Sequence, residues 1–237
     1  MKTKVSIVIP AYNEEDLIEE TLYSVKKELK DLKISWEIIL VNDGSQDKTA
    51  EITKKTSQVK LINLKKNSGK GAAIKEGMLA ANGEKIIFMD ADLSVPLKFI
   101  KPMIDILEKS DIVIGTRRVT KSKIMIHQPW IRETLGRVFT KLTQFMTQTN
   151  LSDYTCGFKG FSHEASQKIF SNAVIDRWAY DSEIMFLAGK YNYKISEMPV
   201  EWYNRAESKV NLKNAIFTSL RDLFVIRKND LMKVYEN

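Results

Sequence analysis

Short, nearly uninterrupted apolar runs alternate along the first half of the chain with stretches in which apolar residues recur every three or four positions. The runs are Val5–Ile9, Trp36–Val41, Val59–Leu64, Lys85–Met89 and Asp111–Thr116. Runs this short, rich in β-branched residues, are expected of strands buried on both faces. Between them, Asp16 to Lys30 carries Ile18, Leu22, Val25 and Leu29 on one helical face, and Asp47 is placed to cap a helix running to about Thr56. A third helix, from the Asn67–Gly71 turn to about Ala81, turns Ile74 and Met78 inward. Five strands alternating with helices predict an α/β fold with a doubly wound, mainly parallel sheet.

Beyond Arg117 the rhythm changes. Helical spacing is read over Ile131–Gln148, His163–Phe170 and Ala179–Lys190, with Thr149–Gly157 as a polar loop. Ile195–Trp202 reads as a strand, which Pro199 assigns to an edge. Leu212–Arg227 is expected to place Leu212, Ala215, Ile216, Leu220, Leu223 and Phe224 on one face, leaving Lys213, Arg221, Arg227 and Lys228 on the other. No repeat or linker interrupts the chain, so residues 1–237 are expected to form one domain whose halves, divided near residue 117, differ in role.

In doubly wound sheets, ligands bind beyond the carboxyl ends of the strands, and Asn13, Asp43, Asn67 and Asp90 all fall at such ends. In an extended chain, residues two apart point the same way. Asp90 and Asp92, flanking Ala91, are therefore expected to converge on a hard cation, Mg²⁺ or Mn²⁺. Gly69, Lys70 and Gly71 bring backbone amides and an ammonium to a helix start, the makings of an anion site. The spacing is not that of a Walker A loop.

Composition narrows the options. The 237 residues carry a formal net charge of +7. Arg117, Arg118, Lys121, Lys123, Arg132, Arg137 and Lys141 crowd one stretch with Glu133 as its sole acid. No nucleic-acid module accompanies this patch, so a phosphorylated substrate or an anionic membrane surface is expected instead. A lone cysteine, Cys156, excludes an internal disulfide and fits a reducing compartment. His127 and His163 are too scattered for a zinc site. No stretch approaches the ~20 apolar residues that span a bilayer, and Met1–Lys4 leads directly into a strand without a signal-like segment, so a cytoplasmic location is expected.

Five pieces of the first half, IVIPAYNEE (7–15), VNDGS (41–45), NSGKGAAIKEG (67–77), FMDADL (88–93) and GTRR (115–118), together resemble the inverting nucleotide-sugar glycosyltransferases of family two. DYTCGFKGF (153–161), DRWAYDSEI (176–184) and NRAESK (204–209) resemble the subgroup that glycosylates polyprenyl phosphates, most closely the members transferring β-glucose to dolichyl phosphate. The resemblance implies a GT-A, Rossmann-like fold with acceptor-side helices in the C-terminal half. It also implies an inverting, metal-dependent hexosyl transfer from UDP-glucose to a polyprenyl phosphate at the cytoplasmic face of a membrane.

Carried over residue by residue, the resemblance implies a donor site of Pro10, Ala11, Tyr12, Glu14, Val41, Asp43, Gly69, Lys70, Asp90, Ala91, Asp92, Arg117, Arg205 and Lys209. Asp90 and Asp92 are the implied holders of Mg²⁺ or Mn²⁺. Asp181 is the implied base, with Glu183 as the alternative, and Asp153, Lys159 and Trp178 are implied at the acceptor. Mannosyl or N-acetylglucosaminyl transfer to the same lipid stays open, as does a non-catalytic nucleotide-sugar-binding scaffold. A sugar nucleotidyltransferase would be expected to show a GxGxR-like turn where this chain has PAYNEE.

Overall fold

The apolar runs assemble side by side as strands β1 (Val5–Ala11), β2 (Trp36–Asn42), β3 (Val59–Asn63), β4 (Lys85–Met89) and β5 (Ile112–Thr116). The computed structural model describes residues 3–126, 130–204 and 212–236, without the side chains of 131–132 and 212–217. His127, Arg205, Lys209 and the side chains of Arg132, Leu212, Lys213, Ala215 and Ile216 therefore lie outside the described residues.

The remaining elements are helices α1 (Ile18–Asp31), α2 (Thr49–Lys55), α3 (Lys70–Leu79) and α4 (Ile100–Ile106), strand β6 (Lys123–Ile126), helix α5 (Trp130–Thr147), strand β7 (Phe158–Ser162), helices α6 (His163–Asn172) and α7 (Tyr180–Lys190), strands β8 (Ile195–Pro199) and β9 (Glu201–Tyr203), and helix α8 (Leu212–Leu231). The main sheet has the order β3-β2-β1-β4-β7-β5-β8. Its strands run parallel except β7, which is antiparallel to β4 and to β5.

Alternate residues of each strand enter opposite cores, which explains the uninterrupted apolar runs. Val8, Ile39, Phe88 and Ile114 pack with α3, α6 and α7, while Ile7, Leu40, Ile87 and Val113 pack with α1 and α4. Ile18, Leu22, Val25 and Leu29 of α1 are all buried, as their spacing predicts. Asp47 accepts from the Thr49 amide at 3.0 Å, holding the start of α2 from two residues away. At α6 the Ser162 hydroxyl accepts from the Ala165 amide, a side-chain N-cap.

β7, a strand the sequence did not predict, lies between β4 and β5, and two expectations are corrected. The predicted strand Ile195–Trp202 is two strands: β8 takes the edge of the main sheet, as Pro199 suggests, and β9 leaves to pair with β6. On α8 the inward residues are Ser219, Asp222, Leu223 and Ile226, whereas Phe224 is exposed. Helix α8 packs against α5 and α7, and that contact, not the apolar count, sets its inner face.

Candidate active site

A cleft of about 1780 Å³ opens beyond the carboxyl ends of β1, β2 and β4 and is bounded on its far side by α5 and α8. Of the residues expected at the site, Pro10, Ala11, Tyr12, Glu14, Asp43, Gly69, Lys70, Asp90, Ala91, Asp92, Arg117, Trp178 and Asp181 line it. They come from separate segments of the chain, and the turns after the strands bring them together.

Asp90 and Asp92 lie in a turn and not in an extended segment. The Leu93 amide reaches back to the Asp90 carbonyl, and Leu93 itself adopts φ 52°. The two carboxylates nevertheless share the cleft. Burial, and then the charge of Asp90, push the Asp92 carboxyl above its ordinary range against the Ser94 amide, which donates at 2.9 Å. Asp90 is fixed from two sides. Its Oδ1 meets Lys70 Nζ at 2.6 Å, and its Oδ2 lies where a Cβ on Gly157 would stand, 2.0 Å away.

The helix start that was expected to hold an anion is already supplied from within the chain. The Ser68 and Gly69 amides donate to the two oxygens of Asp43, at 2.7 and 3.0 Å, and the Ala72 amide donates to the Asp176 carbonyl. Gly69, at φ 111°, packs so closely on Asp176 that a Cβ would stand 2.5 Å from its carbonyl oxygen. Burial raises the Asp43 carboxyl despite those two amides. The ammonium of Lys70 serves Asp90.

Arg117 is held in place from below. Its Nε and Nη2 donate to the two oxygens of Asp153, at 2.7 and 2.8 Å, its Nη2 also reaches Thr155, and its guanidinium stands 5.2 Å over the Trp202 ring. Burial alone would raise the Asp153 carboxyl, but the guanidinium outweighs it and holds the group at about 2. Asp153, expected at the acceptor, is fully buried, does not line the cleft and holds Arg117 in place.

Lys159 is likewise corrected from the acceptor surface to the interior. Fully buried on β7, it donates to Asp181 and, at 2.7 Å, to the Cys156 carbonyl. Burial pushes the Asp181 carboxyl up, with Lys159 pulling against it. Val41 is a core residue whose side chain packs on α3 at Gly77, and the cleft wall begins two residues later at Asp43. Glu183 faces away from the cleft: its carboxylate accepts from the Tyr235 hydroxyl and the Val174 and Ile175 amides. Cys156 is buried, which pushes its thiol up to about 12 and makes it a poor nucleophile.

Several lining residues were read from the sequence only as part of a patch, motif or helix face, or not at all. Arg118 bonds Thr140 and so ties the end of β5 to α5, and Gly136 leaves room for its guanidinium. Arg177 and Tyr180 lie within DRWAYDSEI beside Trp178 and Asp181, and their signal was adjacency to residues already chosen. Leu135, Val138, Phe139 and Leu142 of α5, with Leu220 of α8, line the cleft with apolar surface. No sequence signal separated them from ordinary core.

Residues 6–170 match the glycosyl transferase family 2 model, and the chain belongs to that family. It is a glycosyltransferase. Among curated proteins it is 35% identical over 227 residues to a dolichyl-phosphate beta-glucosyltransferase of Trichomonas vaginalis, covering 90% of this chain and 69% of that one. The Dictyostelium discoideum protein of that name is 33% identical over 248 residues, covering 98% and 76%, and the Homo sapiens protein 33% over 229, covering 87% and 69%. Among solved structures, mannosyl-3-phosphoglycerate synthase from Rubrobacter xylanophilus superposes with a TM-score of 0.73 at 14% identity, over 93% of this chain and 73% of that one. Glucosyl-3-phosphoglycerate synthase from Mycobacterium tuberculosis, in complex with Mn²⁺, UDP-glucose and phosphoglyceric acid, gives 0.67 at 18% identity, over 94% and 79%. The fold is GT-A.

Proposed function

We propose that the protein transfers glucose from UDP-glucose to a dolichyl-type polyprenyl phosphate with inversion, giving a β-linked lipid phosphosugar and UDP. One observation carries the reading: a single cleft joins a wall of strand-end carboxylates and cations to a wall of apolar side chains from α5 and α8. The first suits a nucleotide diphosphate and the second a prenyl chain. The shared name of the curated relatives, each about a third identical over most of the chain, supports the same activity.

In this reading Tyr12 stacks beside the base and Asp43 meets its edge, since a carboxylate oxygen accepts more than one hydrogen bond. Arg117, held by Asp153, faces the diphosphate, and Arg118 meets the acceptor phosphate. An acceptor phosphate oxygen bonds to the anomeric carbon as that carbon's bond to the diphosphate oxygen breaks, and the electron pair leaves with UDP. The acceptor is already anionic near neutral pH, so Asp181 and Trp178 contribute more by positioning than by proton removal.

Mg²⁺ or Mn²⁺ fits the Asp90–Asp92 turn, because the donors are all oxygen and a cation, the Lys70 ammonium, already stands against Asp90. Among the described residues no group of three or more His, Cys, Asp or Glu side chains is gathered. Asp92 and Asp90 would therefore share the ion with the donor phosphates. When bound, it neutralises charge developing on the departing diphosphate.

Among the described residues no helix is long and apolar enough to cross a membrane. Trp130 and Phe145 of α5 are 74% and 79% exposed, beside exposed Arg137 and Lys141, and Phe224 and Leu231 of α8 are exposed beside Arg221 and Lys228. Faces of this composition settle into an anionic headgroup layer, which supports peripheral docking at the cytoplasmic leaflet where the lipid is glycosylated.

The test is to incubate purified protein with labelled UDP-glucose, Mg²⁺ and a short-chain polyprenyl phosphate and to extract the lipid. Lipid-linked glucose is expected. Product from GDP-mannose or UDP-GlcNAc in its place would change the sugar, and no product from any donor would defeat the enzyme reading.

A further inference from the structure

Lys70 is the first residue of α3, and its ammonium lies 2.6 Å from Asp90 in a cleft that is expected to bind a divalent ion through that same carboxylate. The two partners differ in freedom. Asp90 is backed by Gly157 so closely that no Cβ fits between them, whereas Lys70 reaches it on a flexible four-carbon stem. Of the two, Lys70 is the one able to leave. Its ammonium also faces the charges of Asp181 and Asp92.

We propose that Lys70 is the resident cation of the Asp90–Asp92 turn, held there until the donor's diphosphate draws it away, so that divalent ion and donor enter together. The proposal rests on the metal reading given above. A dication arriving alone would meet a carboxylate already neutralised and add its charge beside an ammonium. Arriving with a diphosphate, whose two phosphates are each negative, it adds no net charge, and Lys70 gains a new partner as it gives up the old one. Among the described residues only two carboxylates gather at the turn, which reinforces the coupling, because the donor's oxygens would complete the ion's shell. Lys70 thus protects the site from binding a metal ion unproductively and makes donor capture and metal capture one event.

The experiment is a titration of Mn²⁺, followed by the electron paramagnetic resonance of the free ion, with and without saturating UDP. It is run on the wild-type protein, on Lys70→Met, and on Lys70→Gln in case the first variant fails to fold. The wild type is expected to bind Mn²⁺ weakly alone and at least roughly tenfold more tightly with UDP, within the usual span of coupling between sites. Lys70→Met is expected to bind Mn²⁺ alone roughly tenfold more tightly than wild type, with the enhancement by UDP reduced to about threefold or less. Arg177→Met removes another cleft cation, one that acts on Asp43 and makes no ion pair with Asp90. Its Mn²⁺ affinity is expected to stay close to wild type.

Unchanged Mn²⁺ affinity in Lys70→Met, an unchanged UDP enhancement, or an equal gain in Arg177→Met would overturn the role of Lys70 while leaving the metal reading intact. No Mn²⁺ binding by the wild type even with UDP would overturn the metal reading, and this inference with it.

Discussion

Lys159 and Asp181 meet at the floor of the cleft, the first with no exposed surface and the second 6% exposed, although 22 residues separate them. Removing one partner of a buried pair strands the other's charge, at a cost of about 3–5 kcal/mol. Lys159→Met is therefore expected to lower unfolding stability by roughly that amount in urea at neutral pH. Adding Asp181→Leu should recover a large part of the loss. A single variant as stable as wild type would show that the pair contributes little.

The Arg117–Asp153 pair predicts a pH dependence. Folding lowers the Asp153 carboxyl from the ordinary carboxylate range to about 2. A group with a depressed folded pKa stabilises the fold above its unfolded value, and that contribution fades as pH falls toward the folded one. The stability difference between wild type and Asp153→Asn is thus expected to narrow by roughly 2 kcal/mol between about pH 5 and about pH 2. Urea melts across that range measure it, and a constant difference would remove the pair from the acid response.

Gly157→Ala is expected to act on chemistry and not on folding. Gly157 is not in the left-handed region, so the backbone tolerates alanine, but the new Cβ would meet the Asp90 carboxylate. A displacement of this size at a reacting centre costs on the order of 10²-fold in rate. Turnover should fall by about that factor while the melting temperature moves little, as calorimetry beside the transfer assay will show.

Asp92→Ala should abolish lipid glucosylation with the circular dichroism spectrum intact. Burial and the charge of Asp90 already work against this carboxylate, so its loss should not cost stability. Chelation by EDTA is expected to give the wild type the same defect, reversed by Mn²⁺ or Mg²⁺. Activity retained by the variant would place the metal elsewhere.

Trp130→Ser combined with Phe145→Ser removes exposed anchors that do not line the cleft. Flotation with vesicles containing anionic lipid is expected to fall severalfold, most clearly at low salt, while the KM for UDP-glucose stays at its wild-type value. Equal flotation would move the membrane contact to another face.

Much of this architecture is legible in the sequence because burial on two faces leaves apolar runs, and because α1 repeats its apolar residues at the helical period. The strand-end motifs were legible for the same reason: once the runs are strands, Asp43 and Asp90 must follow them. β7 was not legible. Its Phe158-Lys159-Gly160-Phe161 carries a lysine and a glycine where a buried strand is expected to be apolar, and that lysine is made admissible by the distant Asp181 together with the Cys156 carbonyl. Asp153 was misread in the same way, since Arg117, 36 residues earlier, holds its charge inside. The acidic turn was right in composition and wrong in conformation, because nothing in the letters DADL shows the positive φ of Leu93.

The placement of β7 between β4 and β5 governs how the chain can fold. β5 belongs to the first half in sequence, yet in the main sheet it pairs only with β7 and β8, both from the second. Phe158–Ser162 fills the gap between β4 and β5, so their native edges are complete only once that later segment is in place. Nucleation on β1, β2 and β3 can precede this, but the carboxylate turn after β4 gains its backing at Gly157 only when β7 arrives. A fragment stopped near residue 117 would therefore present open strand edges to its neighbours.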